Sequence, residues 1–546
     1  MFNARDIGLV LIGAVSAEVS ELEKLASRTR RLDDFDRVSD EVPGSFHTIA
    51  RIGDSTRVQG TISGLRRVFR TTGRIRAVAS RSDMLASLTG APLDETWIAC
   101  RLLYPPMPDI VRSGSPWAGI HAVATDQHAV LDPRGPIRTR TWWSCPEPEY
   151  SLEDGAEDFG AALQRAVAAR TGRYATGELS ADMSGGLDST PLCFLARHTG
   201  VDPVLVTQIG LDSANDDGYY ADRAARHMAD CTRVIYDPQS VPLPYHNIRD
   251  GAGLDEPDSG YRNRARMSAY ATEMLAMGSR HHLSGSGGDE VLQSPSIYLH
   301  TTIRQKPLTG IHHLRAFMAR NPSMKWSAMM SILSDGRSYG SWISRQAALL
   351  DTPLPVRTLG EWGAPFRLPP WATGKTRRVV REFLESRARD IQPFIGDRGQ
   401  HGALDGVVVS GLVTRTTGQA ISVHGLPVSF PFLDDQVVGR ALRVRLHEKS
   451  DPWRFKPLMV RAMQDKVPND VLQRSTKADV AAEVYAGMRE SRAQLVSMVD
   501  ESKLAELGLV EPHELKNKML NQLDPDAHPT MLNESLATEV WLQNVN

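Results

Sequence analysis

Cysteine is scarce in this sequence: four in 546 residues, at Cys100, Cys145, Cys193 and Cys231. They lie far apart and form no Cys-x-x-Cys pair, which leaves no basis for a zinc knuckle or a disulfide framework and fits a reducing compartment. Net charge is nearly absent too, at -2 from 63 Lys and Arg against 65 Asp and Glu. Neither nucleic acid nor an anionic membrane is therefore expected as a partner, and any basic site must be local. No apolar run reaches the roughly 18 to 20 residues that a membrane span needs. The run from Ile7 to Val15 follows Arg5 and invites comparison with a secretory signal, but it is short and Asp6 opens it. A first core strand and a cytoplasmic location are the expectations.

What is present is ordinary globular composition, 41% hydrophobic and 23% charged, in a chain long enough for about two to four domains. Up to about Pro148, short apolar segments at 7–15, 46–52, 74–79 and 119–131 read as strands, with a helix around Ser82–Leu88. Pro146 and Pro148 punctuate a linker ending near Ser151. The pattern then changes. Phe159, Leu163 and Val167 recur every four residues and predict a helix. A strand ending in a glycine loop follows, then a helix with Leu192, Leu195 and Ala196, a stop at Gly200 and a buried strand at 203–209. A helix over 219–228 and a strand at 232–236 repeat the unit, which predicts a doubly wound parallel sheet binding its ligand beyond the carboxyl ends of its strands.

Three segments bear chemistry. In Ser184-Gly185-Gly186-Leu187-Asp188-Ser189, two glycines allow a sharp turn and close approach to a ligand, and a helix N-terminus follows, where unpaired N–H groups favour phosphate. It is not a Walker A loop, because no Lys follows at the required place. A Gly-Gly pair by itself usually marks only a turn. In Ser284-Gly285-Ser286-Gly287-Gly288-Asp289-Glu290, a second tight loop leads to two carboxylates at a helix start, which alone would be dipole complementarity but can also hold a divalent cation bridging phosphates. The third is Phe455-Lys456-Pro457 through Arg461, then Val467-Pro468 and Arg474-Ser475-Thr476-Lys477, where an isolated lysine would ordinarily be a solvated surface group.

The first loop resembles the pyrophosphate loop of the ATP pyrophosphatase superfamily, whose members cleave ATP to AMP and pyrophosphate while adenylating a substrate. With the second loop, the segment Val428 to Asp434 and the order of Lys456, Arg461, Arg474 and Lys477, the chain resembles the asparagine synthetase and β-lactam synthetase family. That resemblance implies ATP bound by Ser184, Gly185, Gly186, Asp188, Ser189, Gly285 and Ser286, with Gln208 near the adenine. It implies Mg2+ on Asp188 and Asp289, and Lys477 as the catalytic lysine over the α-phosphate. The adjacent His281 and His282 are taken as structural.

The implied fold is α/β: an inactive, β-rich, glutaminase-like (Ntn-type) sandwich at 1–148, then a doubly wound synthetase domain with a helical C-terminal part at 151–546. Glutamine-hydrolysing members begin with a nucleophilic Cys after the initiator Met. Phe2 stands there here, so the attacking amine is expected to arrive with a substrate. β-Lactam synthetases use a Tyr where Ser286 stands and a Glu upstream of the Pro-containing segment, where Pro427 and Val428 stand. Lasso peptide cyclases are the more similar branch, in the run Ser180 to Thr190 and in a tail like Leu536 to Leu542. They imply a precursor core peptide as substrate, with a leader peptidase and a leader-recognition protein as partners. A small-molecule amide or lactam synthetase and an inactive peptide-binding scaffold are the alternatives.

Overall fold

The computed structural model describes residues 2–4, 7–212, 215–251, 253–320, 332, 334–355, 359–474, 481–521 and 529–545. The apolar run Ile7–Val15 is a strand, paired antiparallel with Gly44–Ile52 along its whole length. Leu9 is buried there against Leu22, Leu25, Phe35 and Phe46, so the run's hydrophobicity is used in a core. These two strands belong to a six-stranded sheet with Phe2–Ala4, Ser55–Gln59, Gln127–Leu131 and Arg138–Thr141. A smaller sheet of Phe69–Thr71, Val78–Ala79 and Ile120–Ala122 lies beside it, with Val58, Val68, Val123 and Ala129 packed between the two.

Two segments are shorter than their apolar patterns suggest. The 119–131 stretch is two strands, because the chain turns through Ala124 to Gln127, where the Gln127 N–H donates to the Ala124 carbonyl. In 74–79 only Val78–Ala79 is a strand, the arginines before it standing in the turn.

The second half is built on a five-stranded parallel sheet. Its strands are β1 (Leu179–Asp182), β2 (Val204–Gln208), β3 (Arg233–Tyr236), β4 (His281–Leu283) and β5 (Val428–Ser429), in the order β3-β2-β1-β4-β5. The helices used below are α1 (Leu152–Thr171), α2 (Ser189–His198), α3 (Asp217–Ala225), α4 (Arg264–Ala276), α5 (Arg398–Ser422) and α6 (Ala481–Glu490). The Ser151 hydroxyl caps α1 by accepting from the Asp154 N–H, and its Phe159, Leu163 and Val167 are fully buried. Further helices are Tyr298–Gln305, Pro307–Arg320, Tyr339–Ala348 and Gly374–Ala388.

The linker is stitched down: the Tyr150 N–H donates to the Arg443 carbonyl, and the Arg445 N–H to that of Tyr150. One hydrophobic core runs from Ile62 to Leu542 across it. Buried ion pairs cross as well, Arg67 with Glu256 at 2.6 Å and Arg101 with Glu534 at 2.7 Å. Among the described residues, no helix is long and apolar enough to cross a membrane.

Candidate active site

β1 ends at Asp182, and the chain turns through Ser184, Gly185 and Gly186 before α2 starts at Ser189. Gly185 has φ 72°, and a Cβ there would stand 2.5 Å from the Ala221 nitrogen of α3. Only glycine allows this approach. Ser184 Oγ meets Ser189 Oγ at 2.7 Å and accepts the Gly186 N–H at 3.2 Å, so the hydroxyls brace the turn from within. The second loop leaves β4 and presses against the first, since a Cβ on Gly285 would stand 2.6 Å from the Ser189 nitrogen. Ser284 and Ser286 join their hydroxyls at 3.2 Å. Parallel pairing of β1 with β4 is what brings the two loops to the same sheet edge.

Asp188 and Asp289, one from each loop, converge on a single cation. The Lys456 ammonium is paired with Asp188 and stands 2.7 Å from Asp289 Oδ1, with a side chain only 2% exposed. Lys456 has φ 45°, a left-handed backbone that costs a lysine energy, and Pro457 directly after it starts a helix. In the sequence Lys456 belongs to the third chemistry-bearing segment, but the lysine role falls by resemblance to Lys477, which lies outside the described residues. The ammonium takes one oxygen of each carboxylate, and carboxylates placed so close together could hold magnesium beside it, since that ion is usually held by one or two carboxylates with phosphate oxygens and water completing its shell. Among the described residues no group of three or more metal-binding side chains competes with that arrangement.

Arg474 ties the first loop down. It is 3% exposed, donates to the Ser184 carbonyl at 3.2 Å, pairs with Asp216 at 2.8 Å and lies 4.8 Å over the Tyr220 ring.

A cleft of about 530 Å³ opens over these loops. Ser184, Asp188, Ser189, Gln208, Gly285, Ser286 and Asp289 all line it, whereas Gly185 and Gly186 form the turn beside it. Gln208 stands at the carboxyl end of β2. Next to the cleft is a cavity of about 300 Å³ walled by Val206, Met274, Ile421, Leu426 and Phe430. Asp182, Gln208, Tyr270 and Glu483 line both spaces. Burial pushes the Tyr270 phenol up, an effect that Arg266 opposes and that Asp182 and Glu483 reinforce, so these charges face one region. The sequence places Asp182 at the ligand end of its strand without giving it a role, and Glu483 carries no signal there, since a single carboxylate inside a helix has no distinguishing spacing.

The chain matches the asparagine synthase family over residues 158–543. None of the curated proteins matches it in sequence. Two solved structures show limited similarity. One is the glutamine phosphoribosylpyrophosphate amidotransferase from B. subtilis complexed with ADP and GMP, at 10% identity and TM-score 0.19 over 52% of this chain and 63% of that one. The other is an allosteric regulatory enzyme of purine biosynthesis, at 11% identity and TM-score 0.16 over 49% of this chain and 53% of that one. The matched region thus spans less than two thirds of either.

Proposed function

The chain belongs to the asparagine synthase family, whose members are ATP-dependent, AMP-forming amide ligases, and we propose that it is a lasso-type peptide macrocyclase. In this reading it adenylates an Asp or Glu side chain of a precursor core peptide and joins it to the peptide's own N-terminal amine as a macrolactam. The observation that bears most of the weight is the meeting of Asp188 and Asp289 at Lys456 beneath two glycine loops, at the edge of the cleft of about 530 Å³.

A carboxylate is a poor acyl donor until one oxygen becomes a leaving group. Its oxygen attacks the α-phosphorus of ATP, and the bond to pyrophosphate breaks. Magnesium on Asp188 and Asp289 would supply charge neutralisation for the departing phosphates. Ser184, Ser189, Ser286 and the loop N–H groups orient that pyrophosphate, and Gln208 borders the adenine side. Lys456, fixed between the two carboxylates, adds a second positive charge there. Lys477 is assigned to the α-phosphate and to the tetrahedral intermediate formed when the amine attacks.

The state of the thiols supports an amine that arrives with the substrate. Burial pushes all four cysteines up, Cys231 to about 11, Cys145 to about 12, and Cys100 and Cys193 higher still. No thiol of this chain is poised as the nucleophile that glutamine hydrolysis would need. Residues 1–148 are accordingly assigned as an inactive glutaminase-like domain and 151–546 as the synthetase. A leader peptidase and a leader-recognition protein, acting in the cytoplasm, complete the proposal.

The test is incubation with ATP, Mg2+ and linear peptides that carry a free N-terminus and one internal Asp or Glu. A product lighter by one water, with AMP and pyrophosphate, is expected. Release of ADP would overturn the adenylate, and ligation of small amines with no ring formed would point to a small-molecule synthetase.

A further inference from the structure

We propose that Asp182 and Glu483 form a binding site for a protonated primary amine, the nucleophile of the reaction, and that Asp182 takes its proton, with His282 as the positioning residue behind it. This rests on the reading above and adds the acceptor for the amine's proton.

Asp182 is the last residue of β1, and His282 lies on the neighbouring strand β4. His282 Nε2 is 3.1 Å from Asp182 Oδ1, and its Nδ1 is 2.9 Å from Ser180 Oγ. Ser180 in turn accepts from the Ser279 hydroxyl at 2.9 Å. Asp182 as a carboxylate can only accept from Nε2, which puts the ring proton there and leaves Nδ1 to accept from the Ser180 hydroxyl; this tautomer is inferred from the network. His282 is 13% exposed and Asp182 29%, so the histidine is screened while the carboxylate opens onto cleft and cavity. Its placement is that of a carboxylate oriented from behind and free to act in front.

Glu483 provides an independent sign of a ligand. It is 4% exposed, lines the same two spaces, and its Oε1 accepts the Leu211 N–H at 2.8 Å. Its Oε2 has no hydrogen-bond partner among the described residues. A buried carboxylate oxygen left unsatisfied is costly, and a cationic donor with several N–H groups removes that cost. Arg266 and Tyr270 of α4 line the same spaces, and Tyr270 feels Arg266, Asp182 and Glu483 together, so two carboxylates and a guanidinium border one region. It takes an ammonium where the carboxylates are and leaves the guanidinium for a negatively charged group.

An alkylammonium cannot attack until it loses a proton. Asp182 accepts that proton, the nitrogen lone pair attacks the acyl carbon of the adenylate, and the carbon–oxygen bond to AMP breaks. The amide nitrogen then releases its second proton to solvent.

The experiment uses the full chain with ATP, Mg2+ and the linear peptide in three assays: ring formation, ATP–pyrophosphate exchange, and trapping by hydroxylamine with an N-acetylated peptide. Hydroxylamine is unprotonated at neutral pH and needs no proton acceptor. Asp182→Asn should slow ring formation by about 100-fold or more while exchange and hydroxamate formation stay near wild type. His282→Gln should give a smaller loss with a shifted pH profile, and Glu483→Gln a higher KM for the free-amine peptide alone. If Asp182→Asn does not fold, Glu483→Gln still provides the same split. Equal loss of exchange and ring formation would assign these residues to the nucleotide and overturn the proposal, as would ring formation at the wild-type rate. A wild-type protein that supports neither exchange nor trapping with any peptide would instead remove the underlying reading, and this site with it.

Discussion

Lys456 stands 2.7 Å from Asp289, on the second loop, while the same ammonium holds Asp188 of the first. The lysine thus joins two loops that parallel strands bring together, and it does so from a backbone conformation lysine rarely adopts. Strain kept at such a place points to a requirement on where the ammonium sits.

Replacing that ammonium should show its role directly. Lys456→Met is expected to reduce ATP–pyrophosphate exchange by about 100-fold or more, the scale of losing one preorganised electrostatic contact. Exchange at the wild-type rate in a folded variant would remove Lys456 from the site.

Lys477→Ala should nearly abolish turnover, by about 3 kcal/mol in the barrier, with little change in thermal melting. Near-normal activity would return the lysine role to Lys456 alone.

Magnesium should be required through the two carboxylates. Chelation is expected to abolish exchange, and Asp289→Asn to raise the Mg2+ concentration needed for half-maximal rate. An unchanged magnesium dependence in Asp289→Asn and Asp188→Asn would move the metal elsewhere.

The Arg170–Asp434 pair fixes α1 to the Phe-Leu-Asp segment through bonds of 2.8 and 2.6 Å, both side chains being 1% exposed. Arg170→Met leaves a buried carboxylate alone and should cost about 3–5 kcal/mol in urea unfolding. The double variant Arg170→Met, Asp434→Leu should recover much of that loss. A single variant as stable as wild type would contradict the burial of this pair.

His281 accounts for a pH effect. Burial first, then Arg170, His282 and Arg66, pulls its imidazole down from 6.5 to about 4. Between these values the unfolded chain binds the proton and the folded one does not. The histidine therefore contributes stability that is fully present above pH 6.5 and is lost as pH falls toward 4. His281→Gln should lose less stability than wild type between those two pH values in denaturant titrations, and parallel profiles would contradict the shift.

The glycine loops were legible because a tight turn and a close approach restrict residue type within a few positions, as at Gly185 and Gly285. The strand at 204–208 was legible from its apolar run, and the α1 stripe from its spacing. The strand break at 124–127 was not, since local alternation carries no mark of a turn that the neighbouring sheet imposes. Lys456 and Lys477 belong to one motif, and its spacing does not mark Lys456 as the lysine that meets Asp188 and Asp289.

By itself, then, the sequence determined the doubly wound sheet and the two tight glycine loops that carry Asp188 and Asp289, because periodicity and backbone sterics act over a few residues; a phosphate and magnesium role for them comes from family resemblance. Only the tertiary structure decided that Lys456, 268 positions from Asp188, lies between both carboxylates. It also decided that His282 backs Asp182, and that Glu483 of α6 shares their cavity. Ion pairs and cavities of this kind depend on which strands are neighbours and which helices cover them, and no local spacing records that.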